Sequence, residues 1–368
     1  MRMLFILSIA SGYGGAERSM EIVLRHLPTN LKVRVFAVND LHLERLMQPG
    51  ALPGNVTLVR VPGARTRARR RLSALQLLAE YLRYRPEAVL LNTQESALIA
   101  AMSARFARSL GARSHLYVRD FLWQDMDFIF ARLPGAHVLV PDAVVTERLG
   151  YLSPFHVQPF GAAPWAVMPD MAEMDAGVVS YEGPILHLAT LNPWKGHLEL
   201  AVALQHLHAQ QRPVSLLSCG MKVDHDLWQR LLRLVDRLGI GESYRFAEHL
   251  PDPSPLLRTC RAVVVPSVPH SGGPETFGRT LIEAWAHRKP VVAYACGAPA
   301  RLIAHEVDGL LVPPGDTRAL ADALARVASS PELCRRLGEA GHAKAVQAYE
   351  ARQVTRRLLD HLAGADRT

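Results

Sequence analysis

The stretch "GGPETFGRTLIEAW", residues 272–285, sets Glu275 and Glu283 eight positions apart, with two glycines and a proline ahead of the first. The apolar run "AVVVPS" before it reads as a buried strand and "VPHSGGPE" as a loop, so a helix is expected to begin near Thr276 to Gly278, capped by Thr276. Glu275 would then stand in the loop at the helix mouth, and Glu283 about two turns inside. The N–H groups of Thr276, Phe277 and Gly278 would point into that mouth together. A loop carboxylate beside such donors can hold sugar hydroxyls, and a deeper one can accept a ribose pair. The bland alternative is that Glu275 only complements the helix dipole and Glu283 lies on a solvated face. The flanking "TLI" and "AWA" argue against an exposed face for Glu283.

A second group with chemical potential is Lys195 in "HLATLNPWKGHLELAVAL", where strand, short loop and helix follow one another. An ammonium just before Gly196 can meet a phosphate that also faces the helix dipole; a solvated loop lysine is the plain alternative. The chain has 42 lysines and arginines, of which only five are lysines, so one placed at a helix mouth carries more information than an arginine would. A third is "SGYGGAERSM", where Gly12, Gly14 and Gly15 lie between a first strand and a helix. Glycines there let backbone approach a ligand, although the stretch is not GxGxxG and serves equally as a tight turn.

Other patterns carry less. "DMD" at Asp125 to Asp127 and "HLH" at His206 to His208 lack the partners a metal site needs and read as surface or cap residues. Cys219, Cys260, Cys296 and Cys334 are far apart, with no CxxC pair, so neither zinc nor a disulfide framework is expected and a reducing cytoplasm fits. The net charge is +8, which favours an anionic partner: nucleic acid, phospholipid or a phosphorylated small molecule. The cluster Arg65, Arg67, Arg69, Arg70 and Arg71, read as lying ahead of an amphipathic helix, can sit on anionic lipid or be a solvated loop. The lack of interleaved aromatics there argues against stacking on nucleic-acid single strands.

The elements that must position these residues follow from periodicity. At 368 residues two domains are the default. "MLFILSI", "KVRVFAV" and "EAVLLNT" alternate with helical stretches, which implies parallel βαβ units and a doubly wound sheet. The N-terminus reads as a buried first strand rather than a signal peptide. After "VQPFGAAPWAVMPD" the pattern restarts with "PILHLATL", "VSLLSCG", "AVVVPS" and "PVVAYA". The expected organisation is a Rossmann-like domain over 1–165, a second over 166–345, and a C-terminal helix over 346–368 that could return to the first. Ligands in such sheets bind at the carboxyl ends of the strands.

Taken together, "GGAER", "NPWKGH", "ETFGRTLIEAWA", "KPVVA" and "DGLLVPPGD" make the chain resemble a retaining glycosyltransferase of family 4, with the α/β GT-B fold: two Rossmann-like doubly wound domains facing across a cleft, with a helical C-terminal tail. The resemblance implies transfer of a sugar from a UDP- or GDP-sugar to a hydroxyl of a glycan or lipid-linked glycan, without a metal or other cofactor. It implies that Glu275 contacts the donor sugar beside the amides of Phe277 and Gly278, that Glu283 binds the ribose, and that Lys195 neutralises the diphosphate. Thr190, Thr276 and Thr280 complete the donor wall. Gly14 and Gly15 approach the donor from the other domain, and Gly15, Arg119 and Asp120 stand on the acceptor side.

Three departures from the family pattern stand out. Ala189 and Thr190 replace a frequent Gly-Arg, Ala300 replaces a frequent glutamate, and Arg119 in "LYVRDFLW" stands where the family has a histidine. An arginine there can bind a phosphate but cannot act as a base near neutral pH. A donor-binding relative without activity, a nucleotide-sugar epimerase and a basic nucleic-acid- or anion-binding module are the alternatives. No nucleic acid is expected as partner. The expected place is the cytoplasm, peripheral on the inner face of the membrane through Arg65 to Arg71.

Overall fold

The structure, a computed structural model, describes residues 1–109, 111–123, 125–152, 165–270 and 273–364. The chain forms two compact units, Met1–Met171 with Ala351–Thr368, and Ala172–Glu350. The dividing points fall a few residues beyond 165 and 345, and most of the "VQPFGAAPW" stretch lies outside the described residues.

The first unit holds a parallel sheet of β1 (Met3–Ser8), β2 (Lys32–Ala37), β3 (Val56–Arg60), β4 (Ala88–Leu91), β5 (Arg113–Tyr117), β6 (His137–Val140) and β7 (Trp165–Val167), in the order β3-β2-β1-β4-β5-β6-β7. Strand β1 shows why the apolar runs are continuous rather than alternating. Leu4 and Ile6 enter one buried cluster and Phe5 and Leu7 another, so both sheet faces are covered. The helix Ala351–Ala363 covers the face bearing Leu4, Ile6, Leu90 and Tyr117, to which it adds Val354, Leu358 and Leu362.

The second unit repeats the plan with β8 (Ile185–Leu188), β9 (Leu216–Cys219), β10 (Tyr244–Ala247), β11 (Ala262–Val265), β12 (Val291–Tyr294) and β13 (Leu310–Val312), in the order β10-β9-β8-β11-β12-β13. Strand order reverses between β1 and β4 in the first unit and between β8 and β11 in the second. These switch points open a crevice at the carboxyl ends of the strands, where such sheets bind ligands. Lys289 of "KPVVA" is fully buried, and its ammonium donates to the carbonyls of Arg258 (3.0 Å) and Ser180. Burial pulls its pKa down. It staples strand-flanking backbone together, which is a structural use for that motif.

Two local expectations are corrected. The helix after "GGPETF" begins at Arg279, not at Thr276 to Gly278, and its N-cap is Gly278 at φ +83° rather than Thr276. That left-handed turn suits glycine, which has no Cβ to clash. Glu283 therefore stands about one turn into the helix instead of two. Likewise the arginine cluster is not ahead of its helix. Thr66 caps the helix Arg67–Tyr84 through a 3.2 Å bond from the Arg69 amide, so only Arg65 precedes it.

Candidate functional site

In the second unit the switch point brings together residues far apart in sequence. The loop after β8 carries Thr190 and a single 3₁₀ turn, Pro193–Lys195; the loop after β11 carries Ser267 and Glu275. Lys195 Nζ donates to Glu275 Oε1 at 2.6 Å, and Ser267 Oγ donates to the same oxygen at 2.8 Å. Lys195 also lies 3.9 Å above the ring of Trp194. The pair is mostly shielded, at 19% and 12% side-chain exposure, which strengthens it relative to a surface ion pair. Cys296 completes this corner by donating to the Ser267 carbonyl at 3.1 Å; burial first, and then the Glu275 charge, push its thiol up to about 11. It stays a neutral packing group.

The helix Arg279–Ala286 is tied to β8 by Thr280, whose hydroxyl donates to the Leu188 carbonyl at 3.1 Å. Thr280 thus holds the helix against the strand end, a positioning use of a residue placed by sequence on the donor wall. Glu283 Oε1 accepts from Arg279 at 2.8 Å, and both side chains are largely covered. The solvated-face alternative for Glu283 is therefore set aside. Trp285 anchors the same helix: it is fully buried and donates from Nε1 to the Asp308 carbonyl at 2.8 Å.

The lysine loop itself is held from behind. His197 opens the helix His197–Ala209, approaches the Thr190 carbonyl with Nε2 at 3.3 Å, and has Tyr244 Oη 3.3 Å from Nδ1. His187 packs on it with ring centroids 4.5 Å apart. Burial lowers the pKa of His197 to about 4 and lowers that of His187 as well. Because the folded value is depressed, the unfolded chain binds more protons between roughly pH 6.5 and 4, and stability is lost as pH falls through that window. The expected result is a stability that falls below about pH 6.5 by up to ~1.4 kcal/mol per pH unit for one such proton, seen as a falling unfolding temperature, and a flatter profile in His197→Gln. A profile unchanged by that substitution would refute the assignment.

The first unit assembles its own corner at the ends of β1, β4 and β5. Gly14 is the N-cap of the helix Gly15–Arg25; its amide donates to Glu17 Oε2 at 2.8 Å, and both Gly14 and Gly15 are exposed. Burial raises the Glu17 carboxyl pKa. Arg119 is drawn inward. It stacks 3.6 Å above Tyr117, donates through Nε to Asn92 Oδ1 at 3.0 Å and through Nη1 to Asp170 Oδ2 at 3.3 Å, and is only 8% exposed. Asn92 also donates to the Ala16 carbonyl at 3.1 Å, and Ser19 to Asp170 at 2.7 Å. Asp120 beside it is exposed. Asn92, Asp170, Ser267 and Arg279 were not singled out from sequence. Asn92 and Ser267 lie just past the ends of buried strands, which is the one signal that could have found them.

Both units are thus Rossmann-like, each with a polar cluster at its switch point, and the two-sheet plan is that of the GT-B glycosyltransferases. It superposes on the crystal structure of Anabaena Alr3699/HepE in complex with UDP and glucose with a TM-score of 0.80, at 20% identity and 99% coverage of both chains. Residues 180–344 match the family described as "Glycosyl transferases group 1", which accounts for nearly all of the second unit. This segment contains Lys195, Ser267, Glu275 and Glu283. Among curated relatives, D-inositol 3-phosphate glycosyltransferase of Saccharomonospora viridis is 40% identical over 132 residues, 35% of this chain and 29% of that protein. Sucrose-phosphate synthase of Zea mays is 30% identical over 196 residues, 48% of this chain and 18% of that protein. The chain thus spans less than a third of the length of these relatives.

Proposed function

We propose that the protein is a retaining glycosyltransferase that moves a sugar from a UDP- or GDP-sugar to a hydroxyl of a glycan or lipid-linked glycan. The observation that carries this reading is the Lys195–Glu275–Ser267 cluster at the β8/β11 switch point, inside the segment that matches the group 1 family. On this reading Lys195 exchanges part of its contact with Glu275 for the donor diphosphate and stabilises the charge that grows on the departing nucleotide, so no metal is called for at this step. Glu275, beside the amides of Phe277 and Gly278, holds the donor sugar and forms no covalent intermediate. A carboxylate has about four acceptor sites, so Glu283 can keep Arg279 and still take a ribose hydroxyl. Thr190 and Thr276 line the same donor side. On the first unit, Gly14 and Gly15 offer exposed backbone to the ligands. Arg119 shapes the acceptor side by holding Asn92 and Asp170 in place, and Asp120 is the exposed acid beside it.

The test is a thermal-shift screen across UDP-, GDP- and ADP-sugars followed by product analysis, because a ligand specific for the folded chain raises its melting temperature. One nucleotide-sugar class is expected to stabilise the protein and to be consumed with retention at the anomeric carbon. Stabilisation without turnover in any acceptor mixture would favour a silent donor-binding relative, and no stabilisation by any nucleotide sugar would overturn the reading.

The same reading puts the protein at an anionic membrane surface. No helix among the described residues is long and apolar enough to cross a membrane. The helix Arg67–Tyr84 instead carries Leu72, Leu75 and Leu82 on one face at 55%, 62% and 57% exposure, beside exposed Arg65, Arg67, Arg69 and Arg71. Such a face can seat its leucines at the headgroup boundary while each arginine adds roughly 1 kcal/mol near anionic lipid. Co-sedimentation with vesicles is expected to rise with phosphatidylglycerol content and to fall at least several-fold in Leu72→Glu/Leu75→Glu. Binding that ignores lipid charge would sink the proposal.

A further inference from the structure

Away from the strand ends that carry the candidate site, His115, His137 and His361 converge. His115 and His137 are register partners on β5 and β6, and their side chains share the sheet face that also bears Tyr117 and Leu139. The C-terminal helix covers that face with Leu358 and Leu362, and His361 sits between them on the same side. The ring centroids are 5.2 Å apart for His115–His137, 5.6 Å for His115–His361 and 5.8 Å for His137–His361. One ring nitrogen from each lies within 4.8 Å of the other two.

From this geometry we infer a structural transition-metal site in the first unit, formed by His115, His137 and His361 and suited to zinc or cobalt(II). Ligand nitrogens of a tetrahedral ion with metal–nitrogen bonds of about 2.0–2.1 Å stand roughly 3.4 Å apart. The three ring nitrogens, already within 4.8 Å of one another, would have to close by no more than about 1.4 Å to reach that spacing. A cluster of three imidazoles selects borderline metals over magnesium or calcium, which favour oxygen ligands. A nearby cation, Arg113, is two residues before His115 and donates from Nη1 to the Ala363 carbonyl at 2.8 Å, so it is drawn towards the end of the helix.

The position argues for a structural rather than a catalytic ion. His115 is the middle residue of β5 and lies four residues before Arg119, up to roughly 13 Å at full strand rise, whereas the polar corner of this unit lies past the carboxyl ends of the strands. What the ion does is join β5 and β6 to a helix that arrives from the far end of the chain. Binding only the folded arrangement, it would stabilise the unit by linkage.

The experiment uses the full chain, stripped with chelator and dialysed, then loaded with zinc or cobalt(II) and desalted. The wild type is expected to retain one equivalent of metal by mass spectrometry, to show the visible absorption of tetrahedral cobalt, and to gain several degrees in unfolding temperature with excess zinc. His361→Gln and His137→Gln are each expected to lose the retained equivalent and the cobalt absorption. His208→Gln, on an exposed helix position of the second unit, is the control and is expected to behave as wild type. Retention of no metal by the wild type, or undiminished retention in both site variants, would overturn the site. Where one site variant does not fold, the other decides.

Discussion

Glu275→Gln is expected to lower kcat/KM for sugar transfer by at least about 10²-fold, about 2.7 kcal/mol of transition-state stabilisation, with the unfolding temperature held within a few degrees. The substitution keeps the volume and an amide oxygen that can still accept from Lys195 and Ser267, the two groups 2.6 and 2.8 Å from Oε1. What it removes is the negative charge that holds Lys195 and that, on the proposed reading, grips the donor sugar. Glu275→Ala should abolish transfer too, but it strands a half-buried ammonium and so adds a stability cost of its own. Lys195→Ala should act differently, weakening donor binding because, on the proposed reading, it deletes the diphosphate's counter-charge. The check pairs steady-state kinetics with a nucleotide-sugar titration for each variant. Wild-type turnover in Glu275→Gln, or unchanged donor affinity in Lys195→Ala, would remove the cluster from the mechanism.

Gly196→Ala is expected to be among the most disruptive single substitutions, although it adds only one methyl group. Gly196 sits at φ +75°, and a Cβ there would lie 2.0 Å from the Pro266 carbonyl oxygen. Pro266 immediately precedes Ser267, so backbone that moves to relieve the clash carries away the hydroxyl that orients Glu275. The cost should reach roughly 3–5 kcal/mol, the tail reserved for strain and steric conflict. Donor-induced stabilisation should vanish with it. Gly239→Ala separates the two causes: Gly239 has φ +64° but nothing within 4 Å of an added methyl, so only the left-handed strain of about 1–2 kcal/mol remains. Equal unfolding temperatures for the two variants would show that the contact with Pro266 is unimportant.

The cost of acidification at His197 belongs to the same architecture. The ring that lies against the Thr190 carbonyl stays neutral because it is buried, and the lysine loop depends on it.

Much of this was legible in the residues. Strand β1 reads as "MLFILSI" because both of its faces are covered, and the second unit restarts the same rhythm at "PILHLATL". The cluster was legible only as separate pieces. Lys195 and Glu275 stand 80 positions apart, and nothing local says that Lys195 and Ser267 meet on one oxygen of Glu275. The helix start was misjudged because Thr276 is a good capping residue by type, whereas the left-handed turn at Gly278 sets the entry instead. The contacts of Arg119 with Asn92 and Asp170 could not be read from the sequence either, because they lie 27 and 51 positions away.

The sequence by itself determined the α/β plan, the two Rossmann-like units and which loops carry charge, because apolar periodicity and glycine placement act over a few residues. Only the tertiary structure decided the partners: Ser267 and Lys195 on one carboxylate oxygen, Thr280 on the Leu188 carbonyl, and three histidines from two strands and the last helix at one spot. The physical reason is sheet order. Parallel strands 8 and 11 become neighbours through crossovers that skip 9 and 10, and no local pattern records which strand ends meet.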